Sequence, residues 1–236
     1  FWTCIGIYQQ ILQADPNQPD ALCLLGRVAY EIGNNEVAVD LSNKAVSIKP
    51  DNAEAHANLG NALKDLGRLD EAVASYHNAL AISPGLTETH NNLGVALKNL
   101  GKPEEAVSSY HKALAIKPDW AEVHSNLGVA LQDLRKLDEA VASYSKALAI
   151  EPDSAVAHFN LGQALMEQGT LDDAVANYDK AISIKPDYAE AYWNKSLALL
   201  LCGEFEKGWE LHEWRHEGGS IPSRQQKFKY LRLEGA

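Results

Sequence analysis

Asparagine returns at a fixed interval along this chain: Asn58, Asn92, Asn126, Asn160 and Asn194 are each 34 residues apart. A carboxamide offers two N–H donors and one carbonyl acceptor, so it can pair with a peptide unit whatever side chain that unit bears. Asparagine is a mediocre helix former, and its recurrence inside segments of helical apolar spacing wants a reason. Contact with a bound peptide, bridging between neighbouring helices and inheritance through repeat duplication all satisfy the pattern. Leu24 stands at the equivalent earlier position, so the series should stop there.

Histidine recurs in the same way, as His56, His90, His124 and His158. Metal ligands must converge to about 2 Å from one ion, whereas equivalent positions on successive packed helices stand roughly 8–10 Å apart. These histidines therefore read as half-buried packing residues, and His77 and His111 fail as a metal pair for the same reason. The chain contains no GxSxG, HExxH or Walker-type glycine loop. No catalytic residue, cofactor site or metal site is expected.

The formal net charge of −11 and pI near 5.2 oppose nucleic-acid binding, which relies on Lys and Arg neutralising phosphates. Three cysteines, with no CxxC pair, fit neither a disulfide framework nor a zinc site and point to a reducing, cytoplasmic setting. The longest apolar run, residues 197–202, is far shorter than the roughly 20 residues that span a bilayer, so no membrane partner is expected. No basic-then-apolar signal segment opens the chain, which begins at Phe1-Trp2 without Met and reads as a fragment.

The elements that position these residues follow from the same interval. Pro16, Pro50, Pro84, Pro118, Pro152 and Pro186 are 34 residues apart, and the shift also aligns Gly26, Gly60, Gly94, Gly128 and Gly162 with one another. Ala38, Ala72, Ala106, Ala140 and Ala174 align too, as do Tyr76, Tyr110, Tyr144 and Tyr178. Whole units run 19–52, 53–86, 87–120, 121–154 and 155–188. Residues 1–18 make a half unit consisting of a second helix, 189–217 a degenerate capping unit, and 218–236 a tail that is a candidate for disorder.

Within a unit, His56, Leu59, Gly60 and Leu63 follow helical spacing, and Ala72, Tyr76, Ala79 and Leu80 do so again, giving two short helices. Gly67, Gly101, Gly169 and Gly203 sit where a first helix must end, and Pro103 can open a second. Arg135 replaces the terminal glycine once, at about 1 kcal/mol if it keeps a left-handed backbone. Asp51, Asp119, Asp153 and Asp187 are placed to cap the next first helix. One unit cannot bury its apolar face alone, so the units should stack into a superhelix whose concave surface is lined mainly by first helices.

Period 34, small residues at unit positions 8, 20 and 27, an aromatic at 24 and a proline at 32 resemble the tetratricopeptide repeat over about four fifths of the chain. That resemblance implies an all-α, right-handed superhelical solenoid of antiparallel helix pairs. More narrowly, units such as residues 55–63 resemble the repeats of O-linked N-acetylglucosamine transferases and their bacterial relatives. The segment 203–215 resembles the one closing the repeats in bacterial proteins that continue into a glycosyltransferase domain. Only about twenty residues follow Arg215, basic at Arg224, Lys227, Lys229 and Arg232, and they cannot build a nucleotide-sugar site.

In the family it resembles, the asparagine ladder faces the groove and grips the backbone of an extended peptide. The expected groove then comprises Asn58, Asn92, Asn126, Asn160 and Asn194 with Asn61, Asp65, Asn99, Asp133 and Gln163, which share their helix faces. Glu54, Glu88 and Glu122 lie on the same faces and make the groove mildly acidic, favouring basic or hydroxyl side chains, although carboxylates in a first helical turn are also favoured by the macrodipole alone. Trp193, Trp209, Trp214 and Phe205 form an aromatic group that either closes the core or docks a further domain.

The function expected is a scaffold binding a partner protein or peptide, without chemistry of its own. The alternative is the substrate-recognition arm of a protein O-glycosyltransferase. Strong similarity between units also makes self-association through the array ends a candidate.

Overall fold

The computed structural model of the chain describes residues 2–212, with side chains from Gly6 onward. Trp214, Arg215 and the tail 218–236 lie outside the described residues. Those that are described form thirteen helices and no strand. The first is α1, Trp2–Ala14. Then come pairs: α2 Pro19–Glu31 with α3 Asn35–Ile48, α4 Ala53–Asp65 with α5 Leu69–Ile82, and α6 Thr87–Asn99 with α7 Pro103–Ile116. Next are α8 Ala121–Asp133, α9 Leu137–Ile150, α10 Ala155–Gln168 with α11 Leu171–Ile184, and α12 Ala189–Leu201 with α13 Phe205–His212. The architecture is an all-α solenoid of helix pairs. None of these helices is long and apolar enough to cross a membrane.

The chain divides into two compact units, Phe1–Ala130 and Leu131–Ala236. In each, a helix packs on its successor in sequence. In the first unit the first helices also touch in order, α2 on α4 and α4 on α6, while among the described residues α3, α5 and α7 do not meet one another. Each pair is thus a wedge, narrow along its first helix. In the second unit α10 likewise touches α12.

Small residues create the wedge. Ala55, Ala62, Ala72 and Ala79 are completely buried, and Gly60 lies against the ring of Tyr76, itself fully buried. Gly94 and Gly162 meet Tyr110 and Tyr178 in the same way. The unit 19–52 departs from this: Ser42 takes the tyrosine position, wholly buried with its hydroxyl unpartnered beside Gly26.

First helices end as expected on a left-handed residue, Gly67 at φ 75° for instance, and the amide of Arg68 returns to the Leu63 carbonyl across the turn. Arg135 keeps that conformation at φ 60° without being glycine. Its guanidinium reaches Glu167, which also accepts from Gln132, so a surface network offsets part of the backbone cost. Pro103 opens α7 as expected.

The expected aspartate caps are corrected where a cap is resolved. The capping residue is the next one along: Asn52 accepts from the Ala55 amide and Ser154 from the Ala157 amide, while Leu86 and Tyr188 occupy the position without a side-chain bond. The turn after each proline takes one more residue before helical geometry begins, which carries Asp51 and Asp153 outside the first turn.

Candidate functional site

On the first unit the carboxamides fall on adjacent first helices and interlock. Nδ2 of Asn92 donates to Oδ1 of Asn61 at 2.9 Å, and the same oxygen accepts from the Tyr76 hydroxyl at 2.8 Å. Nδ2 of Asn126 donates to Oδ1 of Asn91 at 3.1 Å. Nδ2 of Asn58 reaches both the carbonyl oxygen and the thiol sulfur of Cys23, each at 3.5 Å, where the ladder gives way to Leu24. The ladder therefore does bridge neighbouring helices. Asn92 and Asn126 each retain one N–H and the carbonyl oxygen, and Asn58 retains its carbonyl oxygen.

Asn58, Asn61 and Asn92 line one cleft of about 380 Å³. Its walls are α4 and α6, with Glu54, Glu88 and Thr89 beside the carboxamides, Gly85-Leu86 from the preceding turn, and Arg27 of α2, which pairs with Glu31 at 3.8 Å. Asp65, exposed at the end of α4, accepts from the Tyr30 hydroxyl. Burial, then that bond and the carboxylate's charge, push Tyr30 up to about 12. Asn99 is exposed at the end of α6. On the second unit Asn160, Gln163 and Asn194 are half-buried on α10 and α12, and Asp133 is exposed at the end of α8.

The four recurrent histidines hold the inter-unit turns. Nε2 of His56, His90, His124 and His158 faces the carbonyl of Pro50, Pro84, Pro118 and Pro152 at 2.9–3.1 Å. His90 and His124 are buried, deeper than the half-burial expected. Nδ1 is buried without a partner in the first three, whereas in the fourth it meets Oδ1 of Asn177 at 3.0 Å. Asn177 occupies the position held elsewhere by Ser75, Ser109 and Ser143. No cluster of His, Cys, Asp and Glu able to hold a metal occurs among the described residues.

At the end of the second unit Trp193 and Trp209 both pack on His212, with centroids 4.5 and 5.2 Å away. Phe205 and Trp209 remain 62% and 58% exposed, so neither is a core-closing residue.

Several participants escaped the sequence reading. Asn91 and Cys23 receive the ladder's bonds, and Asn91 could have been found by aligning units, since Ala57, Ser125, Phe159 and Trp193 hold its position elsewhere. A cleft of about 660 Å³ between α5 and α7, floored by His90, Leu93 and Leu97, arises because the second helices are splayed. No periodicity announces it.

Comparison with known proteins agrees with this architecture. Tetratricopeptide repeat family models match residues 26–67, 60–101 and 87–119, and again 125–189 and 159–207. Similar solved structures include the crystal structure of MamA, 28% identical over 66% of this chain and 91% of that one at a TM-score of 0.64. Another is YrrB, described as a TPR protein with an unusual peptide-binding site, 20% identical over 84% and 98% at 0.69. A third is pilF of Pseudomonas aeruginosa, 23% identical over 91% and 97% at 0.71. A search of curated proteins gives no match. With repeat models covering most of the chain and a helix pair repeating at the matching period, the chain belongs to the tetratricopeptide repeat family.

Proposed function

We propose that this chain is a non-catalytic scaffold that holds an extended segment of a partner protein against its first helices. The observation carrying the reading is the cleft in which Asn58, Asn61 and Asn92 converge, with hydrogen-bonding capacity left on Asn58 and Asn92 after their inter-helix bonds. Each tied to a residue of the preceding first helix, Asn58 to Cys23 and Asn92 to Asn61, these amides lose less side-chain entropy on meeting a ligand, which favours binding by a preorganised surface. Asn126 on α8 in the first unit, and Asn160 and Asn194 on α10 and α12 in the second, are assigned the same role each within its own unit, with Asp65, Asn99, Asp133 and Gln163 at the margins. The domain boundaries 19–188 for complete units and 189–217 for the cap belong to this proposal. So does a cytoplasmic location, consistent with the free thiols of Cys23 and Cys202.

The test is binding of the purified chain to an array of extended peptides, compared with an Asn92→Ala, Asn126→Ala, Asn160→Ala variant. Loss of binding with unchanged helicity supports the groove. Equal binding by both proteins sinks it and directs attention to the cleft between α5 and α7.

A second reading, the substrate-recognition arm of a protein O-glycosyltransferase, rests on the resemblance of residues 203–215. None of the three solved relatives described above is named as a glycosyltransferase, so this reading draws no support from them. Co-purification of a nucleotide-sugar-dependent transferase with the intact native protein would be its supporting result.

A further inference from the structure

The cleft between α4 and α6 carries more than amides. Glu54 and Glu88 occupy equivalent positions on the two helices, both exposed, and neither makes a hydrogen bond or ion pair with a described residue. Glu122 continues the series on α8, where it accepts from Nδ2 of Asn91 at 3.5 Å. The same cleft is lined by Thr89, next to Glu88 in the chain and only 5% exposed, whose hydroxyl has no partner among the described residues and opens to the cleft. A residue so deeply set would ordinarily spend its hydroxyl on the backbone one turn back; here the oxygen is left facing the cleft, able to pair with whatever enters it. The arrangement makes sense if a ligand completes it.

Two further facts define that ligand. First helices of neighbouring pairs are in direct contact, which puts equivalent positions roughly 8–10 Å apart. A polyproline II chain has three residues per turn at about 3.1 Å each, so every third side chain lies on one face, about 9 Å from the last. Its backbone makes no internal hydrogen bonds and presents all its N–H and C=O groups to a ladder of carboxamides. The net charge of −11 draws a cationic chain toward the protein.

We infer that the groove takes a basic peptide segment in polyproline II conformation, with Lys or Arg at every third position set against Glu54 and Glu88; this rests on the groove reading proposed above. The peptide backbone pairs with the spare capacity of Asn58 and Asn92, and a backbone carbonyl or side-chain oxygen takes the Thr89 hydroxyl. The first-turn placement of both glutamates also suits the helix dipole, so the decisive readout is ligand discrimination and not stability.

Fluorescence anisotropy of three labelled dodecapeptides in a Pro/Ala background provides it: Lys at every third position, Lys at every fourth, and Glu at every third. Each is titrated with the wild-type chain, with Glu54→Gln/Glu88→Gln, and with Asn58→Ala/Asn92→Ala. The wild type should prefer the first peptide to the third by roughly ten-fold, as two partly exposed ion pairs allow, and should prefer it to the second. The glutamine variant should lose the preference for Lys over Glu while circular dichroism stays unchanged. The alanine variant should bind all three more weakly yet keep the preference. If the alanine variant weakens binding but the glutamine variant still discriminates, the basic-ligand inference is overturned and the groove survives. If the alanine variant binds as the wild type does, the groove itself is wrong. Absence of any binding to the first peptide at millimolar protein also overturns the inference.

Discussion

A Cβ built on Gly60 would lie 2.5 Å from Cε1 of Tyr76. The ring is fully buried and its hydroxyl is fixed on Asn61, so it cannot swing aside without breaking that bond. Gly60→Ala should destabilise the chain by about 1–3 kcal/mol, the usual range for overpacking. Urea denaturation measures it. A loss below about 0.5 kcal/mol would mean that the pair is less tightly seated than the geometry says.

Arg135 presents the opposite case, a side chain where the repeat uses glycine. Relief of the left-handed backbone is worth about 1–2 kcal/mol, against which stand an exposed ion pair to Glu167 worth about 0–1 kcal/mol and the greater unfolded-state freedom of glycine. Arg135→Gly should leave stability unchanged or raise it by up to about 1 kcal/mol, read as the shift in Tm. A clear fall in Tm would show that the Gln132–Glu167–Arg135 network outweighs backbone strain.

Asn92 serves two roles that can be separated. Asn92→Ala removes the bond to Asn61, which keeps its contact with Tyr76, so the cost to stability should be about 1 kcal/mol. Peptide affinity should fall as well. Asn92→Asp alters the charge facing any cationic ligand while keeping an acceptor, and should strengthen binding of a lysine-rich peptide relative to Asn92→Ala. Equal affinities for the two variants would argue against a cationic side chain lying beside this position.

The thiol of Cys23 is pushed up to about 11, first by burial and then by the nearby charge of Glu54, with the Asn58 amide partly opposing both. Because the folded state holds the proton more tightly than the unfolded one, this contribution to stability is complete below about pH 9 and is lost as pH rises toward 11. Tyr30, raised to about 12, and the buried Tyr76, Tyr144 and Tyr178 act in the same direction at higher pH. Thermal melts should show Tm falling from pH 9 upward, with Cys23→Ala flattening the segment between 9 and 11. At neutral pH a thiol reagent should modify the exposed Cys202 well before the buried Cys23; the reverse order would contradict the burial.

The repeat, the helix pairs and their close contacts were legible in the residues themselves. Their causes operate over short stretches: apolar spacing within one helix, a glycine at its end, and a glycine set against a tyrosine sixteen residues later in the same unit, as Gly60 is against Tyr76. Where a cap is resolved it stands one residue beyond the expected aspartate, because turn geometry after a proline is decided by backbone angles that residue types only bias. What the amides do was left open among several readings. Asn92 finds Asn61, and Asn126 finds Asn91, only once one unit is stacked on the next, 31 and 35 residues away. Likewise the clefts on the two sides of the first unit exist because its first helices touch while its second helices stand apart, a consequence of packing small residues on one side of a wedge. A single sequence records which residues repeat; which surfaces they create depends on how the repeats are laid against one another.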